Sequence, residues 1–263
     1  MLLVDIQWFE IGGRMKHGYT LLINPPLWNA YAPHLAVPLL AGVLQERGLP
    51  VRCYDASVEV LDWLLSGEGL RALRTRQAVT TDPHLLATAR LVSAYTEDNV
   101  DEAKAALRSM DSLFDPQYQA WARRVLRNAL LLVSAAFEHL NFDLAANDLY
   151  YSATSTRAVV EAVDDPARNI YRWTVDLLAP AELLADPDLA IVGISVSADT
   201  QLIAAMTAAA HIRRHRPDVK IVMGGNFTTR MVKRWRQPHP FFRWVDAFVM
   251  GEGEEALLAI VER

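Results

Sequence analysis

Apolar positions fall in short continuous runs near the two ends of the chain and at helical spacing through its middle. Thr20-Leu-Leu-Ile-Asn24, stopped by Pro25-Pro26, has the pattern of a fully buried strand ending in a turn. Leu35–Arg47 follows as a helix, with Pro38 in its first turn and Gly48 just beyond its end, and Val51-Arg-Cys-Tyr54 closes a strand–helix–strand unit. The same grammar returns at Leu189–Val196, a long β-branched run in the manner of a central parallel strand. A helix over Thr200–Arg216 follows, with an apolar stripe of Leu202, Ile203, Met206 and Ile212 and a stop at Pro217. Lys220–Met223 and Asp246–Met250 read as strands, with helices over Phe227–Trp235 and Glu254–Glu262.

Five strands with intervening helices predict an α/β protein. The expected fold is flavodoxin-like (Rossmann-like), a doubly wound parallel five-stranded sheet of order 2-1-3-4-5. Between the second and third of these strands the single helix is replaced by residues 58–188, about half the chain, read as an all-helical insertion. Leu61, Leu64 and Leu65, and again Val125, Leu126, Leu130 and Val133, carry its periodicity, and Pro83, Pro116, Pro166 and Pro180 punctuate it. The predicted organisation is an N-terminal extension over 1–19, a Rossmann-like domain over 20–57 and 189–263, and the insertion. Leu2, Val4 and Ile6 alternate as a strand would, before Gly12-Gly13 breaks the pattern.

At 263 residues, with 52% hydrophobic and 22% charged positions, the chain is long enough for one large domain or two small ones and is not a disordered chain. The net charge of −5 speaks against a nucleic-acid partner, since phosphate neutralisation calls for a basic surface. Cys53 is the only cysteine, so no disulfide and no thiolate cluster forms within one chain. The start lacks a signal-peptide pattern, and the most apolar run, Ala129–Ala136, falls short of the ~20 residues of a membrane span. The expectation is a cytoplasmic protein with no membrane partner.

Ligands of an open parallel sheet bind outside the carboxyl ends of its strands. There this sequence places Asn24-Pro25-Pro26, then Asp55, then Ser195 and Ser197, then Gly224-Gly225-Asn226, and finally Gly251-Glu-Gly-Glu254. Glycines at a strand end let a ligand lie on the backbone; they also serve plain tight turns. The serines have two readings as well, ligand contact or satisfaction by a neighbouring helix terminus. No nucleophile-and-base pair is evident, and no catalytic residue is assigned.

In that order and placement, Leu21–Pro26, Leu39–Gly48, Val51–Asp55, Val192–Val196, Pro217–Gly225 and Gly251–Glu255 resemble the cobalamin-binding domain that precedes the catalytic domain of cobalamin-dependent radical SAM enzymes. The insertion lies outside the resemblance. The resemblance implies corrin across the strand ends and the nucleotide tail threaded down beside Leu189–Val196. It implies Asn24, Pro25 and Pro26 flanking the corrin, Ser195 and Ser197 at the tail's entry, and Gly224, Gly225, Asn226 and Phe227 along the tail's pocket wall. Gly251, Glu252 and Gly253 would complete the far side, and Asp55 is a further candidate contact.

Two departures qualify the likeness. The Asp-x-His-x-x-Gly string that supplies a lower cobalt ligand in the mutase branch is absent; His34, in Ala32-Pro33-His34-Leu35, lacks its Asp and Gly and reads as a loop histidine. Binding without a histidine ligand is therefore implied. The CxxxCxxC trio for an iron–sulfur cluster is also absent, so this chain alone cannot cleave SAM. The expected function is a cobalamin-binding module working with a radical SAM catalytic domain or subunit, as part of a methyltransferase or ring-forming enzyme. The alternative is a cofactor-free interaction module whose helical insertion binds a peptide substrate or partner enzyme. Independent catalysis on a small-molecule substrate has little to support it.

Other groupings carry less. His211 and His215 have metal-chelating spacing, but Arg213, Arg214 and Arg216 surround them, and a basic helix end suited to the dipole is the preferred reading, so no metal site is assigned. Gly251-x-Gly253 before a helix would suit phosphate but for Glu252 and Glu254. The stretch Met231–Arg236, with Lys233, Arg234 and Trp235, reads as a solvated helix face. Trp8, Trp28 and Tyr31 either cover a planar ligand or pack against the insertion. Tyr150-Tyr151 has no assignable chemistry.

Overall fold

The computed structural model describes residues 6–8 (backbone), 18–28, 32–76, 80–144, 147–231, 233–235 and 238–262. The strands are β1 (Ile6–Trp8), β2 (Tyr19–Asn24), β3 (Val51–Asp55), β4 (Asn141–Phe142), β5 (Asn147–Asp148), β6 (Leu189–Ser195), β7 (Lys220–Gly224) and β8 (Ala247–Val249). Six of them form one sheet in the order β1-β8-β7-β6-β2-β3, in which β3, β2, β6, β7 and β8 are parallel. The chain is thus α/β with a five-stranded parallel sheet. β1 adds a sixth strand, antiparallel to β8, with Ile6 opposite Val249 and Trp8 opposite Ala247. Residues 6–8 are therefore a sheet edge rather than part of a plain N-terminal extension. Pairing there satisfies backbone groups that the short β8 would otherwise leave bare.

The chain divides into two compact units, one of residues 1–58, 151–166 and 171–263 and the other of residues 59–150 and 167–170. This partition differs from a single insertion over 58–188, because most of residues 151–188 group with the sheet. The reason lies in the helix Leu202–His215. Ala204, Ala205, Ala208, Ala209 and Ala210 join Leu202, Ile203, Met206 and Ile212 in burial, so the helix is apolar all round rather than striped and must be covered on both sides. The helices Thr156–Ala162 and Val175–Leu178 pack against it. On the other face of the sheet lie the helices Ala36–Glu46 and Gly253–Val261. Leu22, Val37, Ala41, Leu44 and Leu257 form one cluster there, and Ile191, Val222, Ala247, Val249, Ala256 and Ile260 another.

The second unit is built on two long helices, Pro83–Arg108 and Pro116–Ala135, packed through Val100, Ala103 and Ala106 and through Ala122, Val125, Ala129 and Val133. Pro83 and Pro116 do not break this unit; they open its helices. Each follows an aspartate cap, Asp82 accepting from the His84 and Leu85 amides and Asp115 from those of Gln117 and Tyr118. β4 and β5 make a small hairpin, so the unit is not wholly helical. Among the described residues, no helix is long and apolar enough to cross a membrane.

One polar clasp fixes the β7–β8 side of the sheet. Asp246 pairs with Arg213 and accepts the Ile221 amide at 2.7 Å, while Arg213 also donates to the carbonyls of Pro217 and Val219. Asp246→Ala strips a buried amide and a guanidinium of one acceptor, and should lower stability by about 2 kcal/mol. The check is the shift in the urea midpoint at unchanged slope.

Candidate functional site

A cavity of about 580 Å³ opens at the carboxyl ends of the parallel strands, on the side covered by the helices Ala36–Glu46 and Gly253–Val261. Its floor is the sheet itself. Leu22 sits opposite Gly193, Gly193 opposite Val222, and Ser195 opposite Gly224, so the side chains shrink toward the strand ends. A Cβ on Gly193 would come 2.8 Å from Leu22 Cδ2, which shows the leucine lying over bare backbone. A Cβ on Gly224 would meet nothing nearer than Val249 Cβ at 3.6 Å. Gly224 is therefore where the face is open. Leu39, Leu40, Val249 and Leu257 give the walls an apolar lining.

Ser195 is 6% exposed, lines this cavity, and its hydroxyl has no hydrogen-bond partner among the described residues. The hydroxyl opens onto the cavity, where it is available to a ligand donor or acceptor. Gly225 serves another purpose. Its φ is +105°, and a Cβ there would lie 2.5 Å from the Val196 carbonyl oxygen, so this turn accepts only glycine. Glu252 and Glu254 stand at the rim, and among the described residues no lysine or arginine lines the cavity. With apolar walls and two carboxylates at its rim, the cavity suits a largely apolar group rather than a bare anion.

Of the residues singled out from sequence, Ser195, Ser197, Gly224, Gly225, Asn226, Gly251, Glu252 and Gly253 line this one cavity. Asn24, Pro25, Pro26, Asp55 and Phe227 do not. Asn24 and Asp55 are engaged with each other at 2.9 Å, and the Asp55 carboxylate also caps the helix Ala56–Leu64 by accepting the Ser57 and Val58 amides. Phe227 is buried against Trp235, and its amide donates to the Val196 carbonyl. Trp235 is itself 3% exposed and packs on Phe241 and Phe248, so it is core rather than part of a solvated helix face. Tyr31 lies outside the described residues, as does the Trp8 side chain. Trp28 donates its indole N–H to the Ala32 carbonyl.

Gly193 and Gln201 are not singled out by the sequence, and His34, read there as a loop histidine, is buried. Gly193, inside an otherwise branched strand, was the available signal, since glycine in a strand interior often marks a close approach. Gln201 is fully buried and bridges two strand ends. Its amide donates to Asn24 Oδ1 and the Pro25 carbonyl, while its Oε1 accepts the Ser197 and Ala198 amides. His34 is 8% exposed, with Nε2 3.2 Å from Ser197 Oγ. A hydroxyl and an imidazole thus do meet at the strand ends, contrary to the reading of no such pair. Burial lowers the His34 pKa and keeps the ring neutral, against the opposing pull of Asp55. The amides of Ser197 and Ala198 are consumed by Gln201, so they offer no oxyanion hole, and the histidine's evident effect is to orient Ser197.

Comparison of the chain with protein-family models, with curated proteins and with solved structures gave no match.

Replacing Gln201 by leucine leaves two part-buried amides and two acceptors without their partner at once. The expected loss is on the order of 3 kcal/mol or more. Hydrogen exchange should show the Ser197 and Ala198 amides losing protection well before the centre of β6.

Proposed function

We propose that the sheet unit is a cobalamin-binding module of flavodoxin-like type, holding the cofactor at the carboxyl strand ends for a radical SAM methyltransferase or related catalytic partner. The observation that carries this reading is the apolar cavity between the sheet and its two covering helices, open at Gly224 and edged by the unpartnered Ser195 hydroxyl. Its volume of about 580 Å³ falls within the ~300–1,000 Å³ of small-molecule sites. A dimethylbenzimidazole ring is apolar with a polar edge, and apolar walls edged by the accessible Ser195 hydroxyl match that chemistry.

In this reading Ser195, Ser197, Gly224, Gly225 and Asn226 flank the nucleotide tail. Gly251, Glu252 and Gly253 lie on the far side, where the rim carboxylates accept from corrin amides. Asn24, Pro25, Pro26 and Asp55 act indirectly, by fixing the end of β2. Phe227 supports the wall from behind. Methyl transfer at cobalt is the chemistry such a cofactor supplies. The chain's own part is to bind, orient and exclude water on one side.

A cofactor-free interaction module remains the competing reading, favoured by the exposed side chains of Met110 and Phe114 between the two long helices. Hydroxocobalamin separates them. After incubation and desalting, the wild-type chain should keep corrin absorbance, and Gly224→Leu, which fills the slot from an ordinary backbone position, should lose it while melting like the wild type. Folded wild-type protein that keeps no corrin contradicts the proposal. Retention by both proteins removes the tail from this slot.

A further inference from the structure

A second cavity, of about 530 Å³, lies at the opposite end of the strands and does not depend on the cobalamin reading. The final turns of the helix Leu202–His215 bring His211 and His215 to its wall, opposite Asp176 from the helix Val175–Leu178 and the apolar Leu184 and Pro187. The two imidazoles lie side by side, centroids 4.3 Å apart and planes at 42°. We infer that this histidine pair binds one divalent transition-metal ion of the imidazole-preferring kind, Zn2+ or Cu2+, with its remaining positions open to water or a small ligand in the cavity.

Three observations support the site. The His215 Nδ1–H donates to the His211 carbonyl at 2.9 Å, which fixes the ring and leaves the Nε2 lone pair free, the arrangement by which backbone carbonyls orient metal-binding histidines. His211 is 8% exposed, yet its ring makes no hydrogen bond among the described residues. The surrounding arginines, which argued against a cation from sequence, are largely neutralised: Arg213 pairs with Asp246, Arg214 with Asp164 and Arg216 with Asp218. Asp176 adds negative charge facing His211, and Arg172 opposes it. No three ligating side chains converge among the described residues, so the protein supplies two donors and the ion keeps open positions.

Calorimetric titration of the whole chain with ZnCl2 in a non-chelating buffer tests the site. One ion should bind per chain, and Cu2+ should displace Zn2+. His215→Ala, at an exposed position, should weaken binding by about tenfold or more without changing the melting temperature of the metal-free protein. Asp176→Asn should weaken it further, and Arg172→Gln should strengthen it. Absence of Zn2+ binding by folded wild type overturns the proposal. So does binding left unchanged by both His215→Ala and His211→Asn, which would mark adventitious capture elsewhere.

Discussion

A parallel sheet must be covered on both faces, and the two faces of this one meet that demand unequally. The helix Leu202–His215 is buried from Leu202 to Ile212 and covers one face. The other is closed only toward the amino ends of the strands, where Ile191, Val222 and Ala247 meet Ala256 and Ile260. Toward the carboxyl ends the floor passes through Gly193, Ser195 and Gly224, which lack the side-chain volume to fill the space beneath the two helices. The cavity follows from that shortage of atoms. Leaving it empty forfeits dispersion contacts along its walls, a cost that an occupant removes.

What keeps the cavity's mouth in shape is polar rather than apolar. Gln201, Asn24 and Asp55 link the ends of β2, β3 and β6 through a chain of side-chain hydrogen bonds. Asn24, 2% exposed, is thus committed to the protein, and one oxygen of the Asp55 carboxylate is taken up by Asn24 and the following helix. His34 adds a neutral imidazole behind Ser197. A rigid network beside an open apolar slot is the division expected of a site in which orientation is settled before the ligand arrives.

Much of the fold is legible in the sequence because buried parallel strands are continuous apolar runs. Tyr19–Asn24, Leu189–Ser195 and Lys220–Gly224 lie within a residue or so of their expected bounds. The edge strand Ile6–Trp8 is short, and nothing local identifies β8 as its partner. The sequence predicts only a stripe on the helix Leu202–His215, because alanines are ambiguous between helix-forming and buried positions. For the site, residue type at the strand ends found the cavity lining, since glycine and serine there are what an open end requires. It did not separate residues that face the cavity from those, such as Asn24, Asp55 and Phe227, that bind their own neighbours. That separation depends on partners distant in sequence, Gln201 and Trp235 among them, which no local pattern announces.

The central claim is that the slot above Gly224 accepts a nucleotide tail rather than merely lying near a corrin. Equilibrium binding of cobalamin against cobinamide, which has the same corrin but no tail, tests it directly. The account predicts that the wild-type chain holds cobalamin much more tightly than cobinamide, and that Gly224→Leu brings the two affinities together. Equal affinity of the wild type for both would contradict it.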